Sequence, residues 1–168
     1  MRNSILASLT ICTVLSIGAA ANAQQPAAPP PPPAYGAPGV TLDQAKKAVE
    51  AAEAEAKKNG WRMAIAVVSI GGYLIHFSRI DDTQFGSNDV AIHKAKAAAT
   101  FRRPTKAFAD ALAGTPPALG ILTLDGVIAA EGGLPIMSGG KVIGAMGCSG
   151  GTGAQDSQVC TAGVSAIK

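Results

Sequence analysis

Aromatic residues make up only 4% of the 168-residue chain, so its core must be built mainly from alanine, valine, isoleucine and leucine. Three cysteines and two histidines show no metal-ligand spacing, which leaves a zinc site poorly supported. Gly140 and Lys141 are followed by Val142 rather than serine or threonine, so this is not a Walker A phosphate loop. The net charge of +3 is small and charges of both signs are interleaved, which argues against nucleic acid and an acidic membrane surface as partners.

Residues 1–23 have the pattern of a cleaved secretory signal peptide. Arg2 supplies the positive start, residues 5–17 the apolar run, and Ala21-Asn22-Ala23 a small-residue cleavage site. The apolar run is too short for a permanent membrane span. We therefore expect cleavage after Ala23 and a periplasmic or secreted protein. Residues 24–39 form an Ala/Pro-rich linker, and residues 40–168 have the length of one compact domain.

Apolar periodicity and turn residues predict alternating helices and strands in this domain. Thr41 and Gln44 form a capping box, which predicts a helix that Asn59 and Gly60 end. Glycine pairs at 71–72 and 139–140 predict two hairpins. The first hairpin has predicted strands 62–70 and 73–78, with His76 on the more polar face. The other predicted elements are a helix capped by Ser87 or Asn88 and ending near Thr100, a short helix from Pro104 to Leu112, and a helix over 154–167. Residues 119–124 and 127–130 are ambiguous between strand and packed loop.

The helix that ends near Thr100 has an apolar stripe formed by Ile92, Ala95 and Ala99. His93, Lys94 and Lys96 fall mostly off that stripe. This pattern predicts that His93 is solvated.

Glycines are concentrated between residues 131 and 153, and a glycine-rich loop that opens a helix can direct unpaired backbone N–H groups at a carboxylate or phosphate. Arg102 and Arg103 stand at a helix break, where they can grip a carboxylate from two sides. We therefore predict a pocket for an anionic group, formed by Arg102, Arg103, Thr105, Gly132, Gly133, Ser149, Gly150 and Gly151. The alternatives are purely structural turns and, for the arginines, ion pairs with Asp110, Glu131 or a partner chain.

Two cysteines remain in the mature protein, because Cys12 leaves with the signal peptide. Cys148 ends a predicted strand and Cys160 lies about a turn into the next helix. An even number of cysteines in an oxidising compartment favours a disulfide between them. The alternative is two buried apolar thiols.

Three blocks resemble the GlcG/HbpS-like family of haem-binding or haem-degrading type, which includes relatives of the PduO C-terminal domain. They are Phe101 to Phe108, Glu131 to Ile136, and Gly144 to Gly151 with Asp156 beyond. The resemblance covers residues 40–168. It implies an α/β (α+β) profilin-like fold, with a five-stranded antiparallel sheet and helices on both faces. It also implies homo-oligomers, commonly octamers, and haem binding in some members.

The resemblance makes an exported haem-binding protein the first hypothesis, with a scavenging or redox-sensing role. The chain has no Cys-x-x-Cys-His attachment motif, so haem would bind noncovalently, with its propionates on the arginine pair. Axial candidates are His76, His93, Tyr73, Met137 and Met146. The alternatives are a small-carboxylate-binding protein or enzyme of the GlcG type and an oligomeric assembly protein without a ligand. We expect binding rather than catalysis, because no nucleophile–base pair or carboxylate dyad stands in an obvious motif.

Overall fold

The computed structural model describes residues 39–167, so the predicted signal peptide and all but the last residue of the predicted linker lie outside the described residues. In that part of the chain, no helix has both the length and the apolar character that a membrane crossing requires. The elements are α1 (Leu42–Lys58), β1 (Ala64–Ser69), β2 (Leu74–Arg79), α2 (Gly86–Thr100), α3 (Lys106–Ala113), a 3-10 turn (Leu119–Thr123), β3 (Gly133–Ser138), β4 (Lys141–Ser149) and α4 (Gly153–Ser165).

The four strands form one antiparallel sheet in the order β2-β1-β4-β3. Helices cover both faces, which confirms the predicted mixed fold. The sheet of the described residues has one strand fewer than the five that the resemblance implies. Residues 114–132 between α3 and β3 form the 3-10 turn and irregular loops. Pro116 and Pro117 lack the N–H group that a strand ladder requires, which favours the irregular path.

Alternate residues of β1 face two separate layers of the core, as the two-residue period of a strand requires. Ile65 and Val67 pack in a cluster with α1 and α4, and this cluster also contains Met146 and Cys148. On the opposite face of the sheet, Ala64, Ala66 and Val68 of β1 pack against α2. The residues of this second cluster are small, as the scarcity of aromatic residues predicts: Ala64, Ala66, Val68, Ala91, Ala95, Ala98, Ala99 and Ala145.

Helix α2 lies directly on β4 because Gly147 has no side chain. A Cβ atom at Gly147 would overlap the backbone carbonyl of Ala91 and the backbone N of Ala95. Glycine inside a strand commonly marks such a close approach of another backbone. The contact fixes the distance between α2 and the sheet.

The predicted capping box of α1 is confirmed. The Thr41 N–H donates to Gln44 Oε1 at 2.9 Å, and the Gln44 N–H donates to Thr41 Oγ1 at 3.2 Å. The predicted cap of α2 is wrong, since the helix begins at Gly86 without a side-chain cap. The Ser87 hydroxyl is buried and is bound from outside the helix start, by Gln84 Nε2 at 3.0 Å and by the Ser149 hydroxyl at 3.3 Å.

Candidate functional site

A buried ion pair connects the two helical layers. Lys94 Nζ of α2 lies 2.7 Å from Asp156 Oδ2 of α4, and the two residues are only 2% and 3% exposed. The same ammonium donates to the carbonyl O of Cys148 at 3.1 Å. The other carboxylate oxygen of Asp156 accepts from the Gly151 N–H at 3.0 Å. These bonds join α2, the end of β4, the glycine loop and the start of α4.

Gly132 leaves the space in which this ion pair forms. A Cβ atom there would lie 2.6 Å from Asp156 Cβ, 2.8 Å from the Cys148 carbonyl O and 3.0 Å from Lys94 Nζ. The residue also has a φ of 117°, which side-chain-bearing residues rarely adopt. A Cβ atom at the neighbouring Gly133 would likewise overlap the Lys94 carbonyl O. The glycine pair therefore lets Lys94 reach the far side of the sheet.

The placement of Lys94 corrects the sequence-based interpretation, which grouped it with His93 and Lys96 off the apolar stripe. His93 and Lys96 are exposed, whereas Lys94 is buried. Burial raises the pKa of Asp156 above its ordinary value, and hydrogen bonds from Lys94 Nζ and the Gly151 N–H oppose this rise. Removing either partner alone would leave the other charge or polar group buried without its main contact.

Several segments of the predicted anion pocket do meet in space. The Thr105 N–H donates to the Gly133 carbonyl at 3.0 Å, and the Gly133 N–H donates to Thr105 Oγ1 at 2.9 Å. The Cys148 N–H donates to the Gly132 carbonyl at 2.9 Å, which brings the end of β4 to the same place. Thr105, Gly132, Gly133 and Ser149 are all buried, while Gly150 is half-buried and Gly151 is exposed.

The expectation that the glycine loops leave their N–H groups uncovered is wrong for two of these residues. The Gly133 N–H is bound to Thr105 and the Gly151 N–H is bound to Asp156. Both acceptors lie within the protein, so these amides hold the fold together. The sequence shows the glycines but not the groups that bind them. For Gly133 that group is Thr105, which is 28 residues away along the chain.

Arg102 and Arg103 are exposed at the junction of α2 and α3. Arg102 has a φ of 53°, which turns the chain sharply after the helix. Arg103 Nε donates to the Phe101 carbonyl at 3.3 Å, and its guanidinium lies 5.8 Å from the centre of the Phe108 ring. The guanidinium of Arg103 is therefore packed against protein on one side and open to solvent on the other.

Cys148 and Cys160 form a disulfide with a Cα–Cα distance of 5.7 Å. Both residues are fully buried between β4 and α4. The bond lies one helical turn beyond Asp156, so the disulfide and the ion pair hold the same helix to the same strand end.

His93, one of the axial candidates, lines a cavity. The cavity has a volume of about 290 Å³, and its lining residues are His93, Lys96, Asp125, Gly126 and Val127. Gly126 has a φ of 74° in a turn closed by a 3.3 Å hydrogen bond from the Val127 N–H to the Leu124 carbonyl. This turn lies beside the exposed side of α2, since a Cβ atom at Gly126 would lie 4.0 Å from Lys96 Cε.

Exposed apolar side chains flank this cavity. Leu124, next to Asp125, is 44% exposed, and Tyr73 is 78% exposed. Tyr73 follows Gly72, whose Cβ position would lie 2.8 Å from Lys96 Cγ, so the β1–β2 turn borders the same part of α2. The residues that line the cavity thus include a histidine, a lysine and an aspartate, with the exposed residues Leu124 and Tyr73 nearby.

His76 lies half-buried on β2, close to Glu53 of α1. Burial alone would raise the pKa of Glu53, but hydrogen bonds from Lys57 and Ser78 and the nearby His76 hold it below its usual value. A second cavity, of about 260 Å³, lies beside this region and is lined by Glu53, Lys57, Arg79, Ile80 and Asp81.

The methionine candidates also differ. Met146 is fully buried in the core, which excludes it as a ligand of a surface-bound group, whereas Met137 is half exposed near the β3–β4 turn. Within residues 39–167, no three His, Cys, Asp or Glu side chains gather into a cluster that could hold a metal ion.

Comparison with known proteins places residues 40–165 under a family model described as haem-degrading protein HbpS-like. Protein GlcG of Escherichia coli K12 is 37% identical over 110 residues, which make up 66% of this chain and 81% of GlcG. A crystal structure of a double mutant of Streptomyces reticuli HbpS has a TM-score of 0.71 and 31% identity, and the match covers 85% of this chain and 99% of HbpS. The complex of PduOC with haem has the same fold, with a TM-score of 0.71, 23% identity and coverage of 77% of this chain and 96% of PduOC.

Proposed function

The chain belongs to the HbpS-like family, and we propose that it is an exported protein that binds haem noncovalently at the His93 cavity. The observation that carries this proposal is the position of His93, an exposed imidazole at a cavity that also contains Lys96. Neutral imidazole is a common axial ligand of haem iron. Bound haem would give the protein a redox-active iron, which suits scavenging or redox sensing.

The residues around His93 fit the different parts of a haem molecule. Lys96 lies one turn further along α2 and can bind a propionate through its ammonium group. Tyr73 and Leu124 offer apolar surface to the porphyrin face. A cavity of about 290 Å³ is at the lower end of sizes for small-molecule sites, so the macrocycle would extend over this apolar border.

Arg102 and Arg103 lie beyond the C-terminal end of the same helix, and we retain them as partners for the second propionate. Lysine at either position keeps the charge and loses the bidentate fork, so Arg102→Lys and Arg103→Lys would weaken haem binding if the arginines grip a carboxylate.

Thermal shifts with small hydroxy and keto acids test the small-carboxylate alternative, because ligand binding to the native state raises its apparent stability.

Exposed apolar side chains also support self-association. Leu119 and Leu122 of the 3-10 turn are 62% and 69% exposed. Such a patch commonly marks a protein–protein interface. We propose that it contributes to a homo-oligomer, an octamer by analogy with the family, which size-exclusion chromatography with light scattering would detect.

Haemin titration of the mature protein tests the haem proposal. We expect a Soret band at stoichiometric haemin for the wild type and for His76→Ala, the matched control on the opposite layer. His93→Ala should shift the Soret maximum and weaken binding by at least about tenfold, since it removes the axial nitrogen. A flat titration of the wild type would end the haem proposal, and unchanged spectra in His93→Ala would remove this residue as the ligand.

A further inference from the structure

We propose that the redox state of the Cys148–Cys160 disulfide controls the position of α2, and with it the His93 cavity, through the Lys94–Asp156 ion pair. The effect on haem rests on the proposed function, whereas the mechanical link does not. Three contacts carry the inference.

The first contact is at Cys148, which is bound from two directions. Its sulfur is joined to Cys160 of α4, and its carbonyl O accepts a hydrogen bond from Lys94 of α2 at 3.1 Å. Any shift of this strand end therefore acts on both helices. Cys148 is fully buried, so the residue has no empty space into which it can move freely.

The second contact is on α4, where Asp156 and Cys160 are four residues apart. This spacing places them on one face of the helix. Asp156 binds Lys94 at 2.7 Å and the Gly151 N–H at 3.0 Å. A movement of α4 that follows loss of the disulfide must therefore displace the carboxylate that holds both α2 and the glycine loop.

The third contact transfers the displacement to the cavity. Lys94 is the residue after His93, and α2 rests on β4 with the backbone of Ala91 against Gly147. The helix cannot absorb a pull on Lys94 by changing its side-chain packing, because small residues form its buried face. The helix therefore slides along the sheet as a unit, at the distance that Gly147 sets, and carries His93 relative to the turn at Asp125.

The chemical step is thiol–disulfide exchange with a dithiol reductant. One thiolate of the reductant attacks a cysteine sulfur, the S–S bond breaks, and a mixed disulfide forms. The second thiol of the reductant then attacks the mixed disulfide, which releases the protein thiol and leaves the reductant with an internal disulfide. Two electrons and two protons end on Cys148 and Cys160 as thiols. Because both cysteines are buried, attack follows local opening of α4 and the loop before it.

Hydrogen exchange on four samples tests the link without haem. These are the oxidised protein, the protein refolded in reductant with two free thiols confirmed by mass, and Cys148→Val/Cys160→Ala treated both ways. We expect reduction to accelerate exchange in α2 and at Gly151 by about tenfold or more, with β2 (Leu74–Arg79) unchanged as an internal reference. The cysteine-free variant should not respond to reductant. Equal exchange in oxidised and reduced wild type would overturn the proposal.

Asp156→Asn identifies the path. In this variant, which keeps the size of the side chain and removes its charge, the redox effect on α2 should fall below about twofold, while the effect on α4 remains. A full redox effect on α2 in Asp156→Asn would show that Lys94 does not carry the coupling and would overturn the inference. Haemin affinity is then compared in both redox states. Absence of haem binding in both states contradicts the proposed function alone, whereas equal affinity contradicts control of the cavity.

Discussion

Replacing Lys94 by methionine provides the strongest test of the buried ion pair. Methionine approximates the length of the lysine side chain and removes the ammonium, leaving the Asp156 carboxylate buried without its cation. Breaking a buried pair from one side costs about 3–5 kcal/mol. For a domain of this size, each kcal/mol lowers the melting temperature by about 3–4 °C, so Lys94→Met should lower it by roughly 9–20 °C.

The matched control is Lys106→Met, which breaks an exposed pair. Lys106 Nζ lies 2.5 Å from Asp110 Oδ1 one turn along α3, with both side chains more than half exposed. Exposed pairs contribute about 0–1 kcal/mol because solvent screens them. The two changes remove the same charge and differ mainly in burial.

Urea unfolding measures both variants and the double replacement Lys94→Met/Asp156→Leu. The double variant removes both buried charges, so its free energy of unfolding should exceed that of Lys94→Met and lie within about 2 kcal/mol of the wild type. If Lys94→Met loses no more than Lys106→Met, burial does not set the strength of the pair. Asp156→Leu alone completes the cycle, and if its loss and that of Lys94→Met simply add in the double variant, the two side chains do not stabilise each other.

Two further variants test the packing around the ion pair. Gly147→Ala places a methyl group where the α2 backbone lies, so it should lower the free energy of unfolding by about 1–3 kcal/mol or more, whereas Gly139→Ala, in open space, should lose less, from its positive φ alone. Cys148→Val/Cys160→Ala should lose about 3 kcal/mol, because the disulfide closes a loop with a sequence separation of 12. Urea unfolding under oxidising conditions measures this loss, and a loss that persists when both proteins are reduced would instead indicate a packing defect.

Local signals in the sequence were sufficient for much of the fold. The capping box of Thr41 and Gln44 involves residues three apart, and Gly139 and Gly140 both adopt the positive φ of a tight hairpin turn. Each of these features depends on neighbours along the chain. Residues 119–124 and 127–130 were ambiguous because short apolar runs fit a strand and a packed loop equally well, and the structure has a 3-10 turn and loop there.

The centre of the candidate site could not be predicted in the same way, because its contacts join distant segments. Lys94 was placed off the apolar stripe when the helical period was counted from Ile92. Counting from Ala91 gives Ala91, Lys94, Ala95 and Ala98 at the spacing of one buried face. A lysine within a stripe of alanines was therefore the sequence signal that could have predicted a buried ammonium group. Its partner Asp156 was named only with the third block that resembles the family, without a predicted partner.

The space that Gly132 leaves for the Lys94–Asp156 ion pair has a consequence for folding kinetics. Lys94 and Asp156 are 62 residues apart in sequence, and the ammonium reaches the carboxylate through a gap that exists only when β3, β4 and both helices are in place. We therefore predict that the pair forms late, after the transition state, so that Lys94→Met gives a φ-value near 0 in folding kinetics. Interactions that form late leave the folding rate nearly unchanged and slow unfolding. Lys94 should thus determine how long each folded molecule persists rather than how quickly it folds.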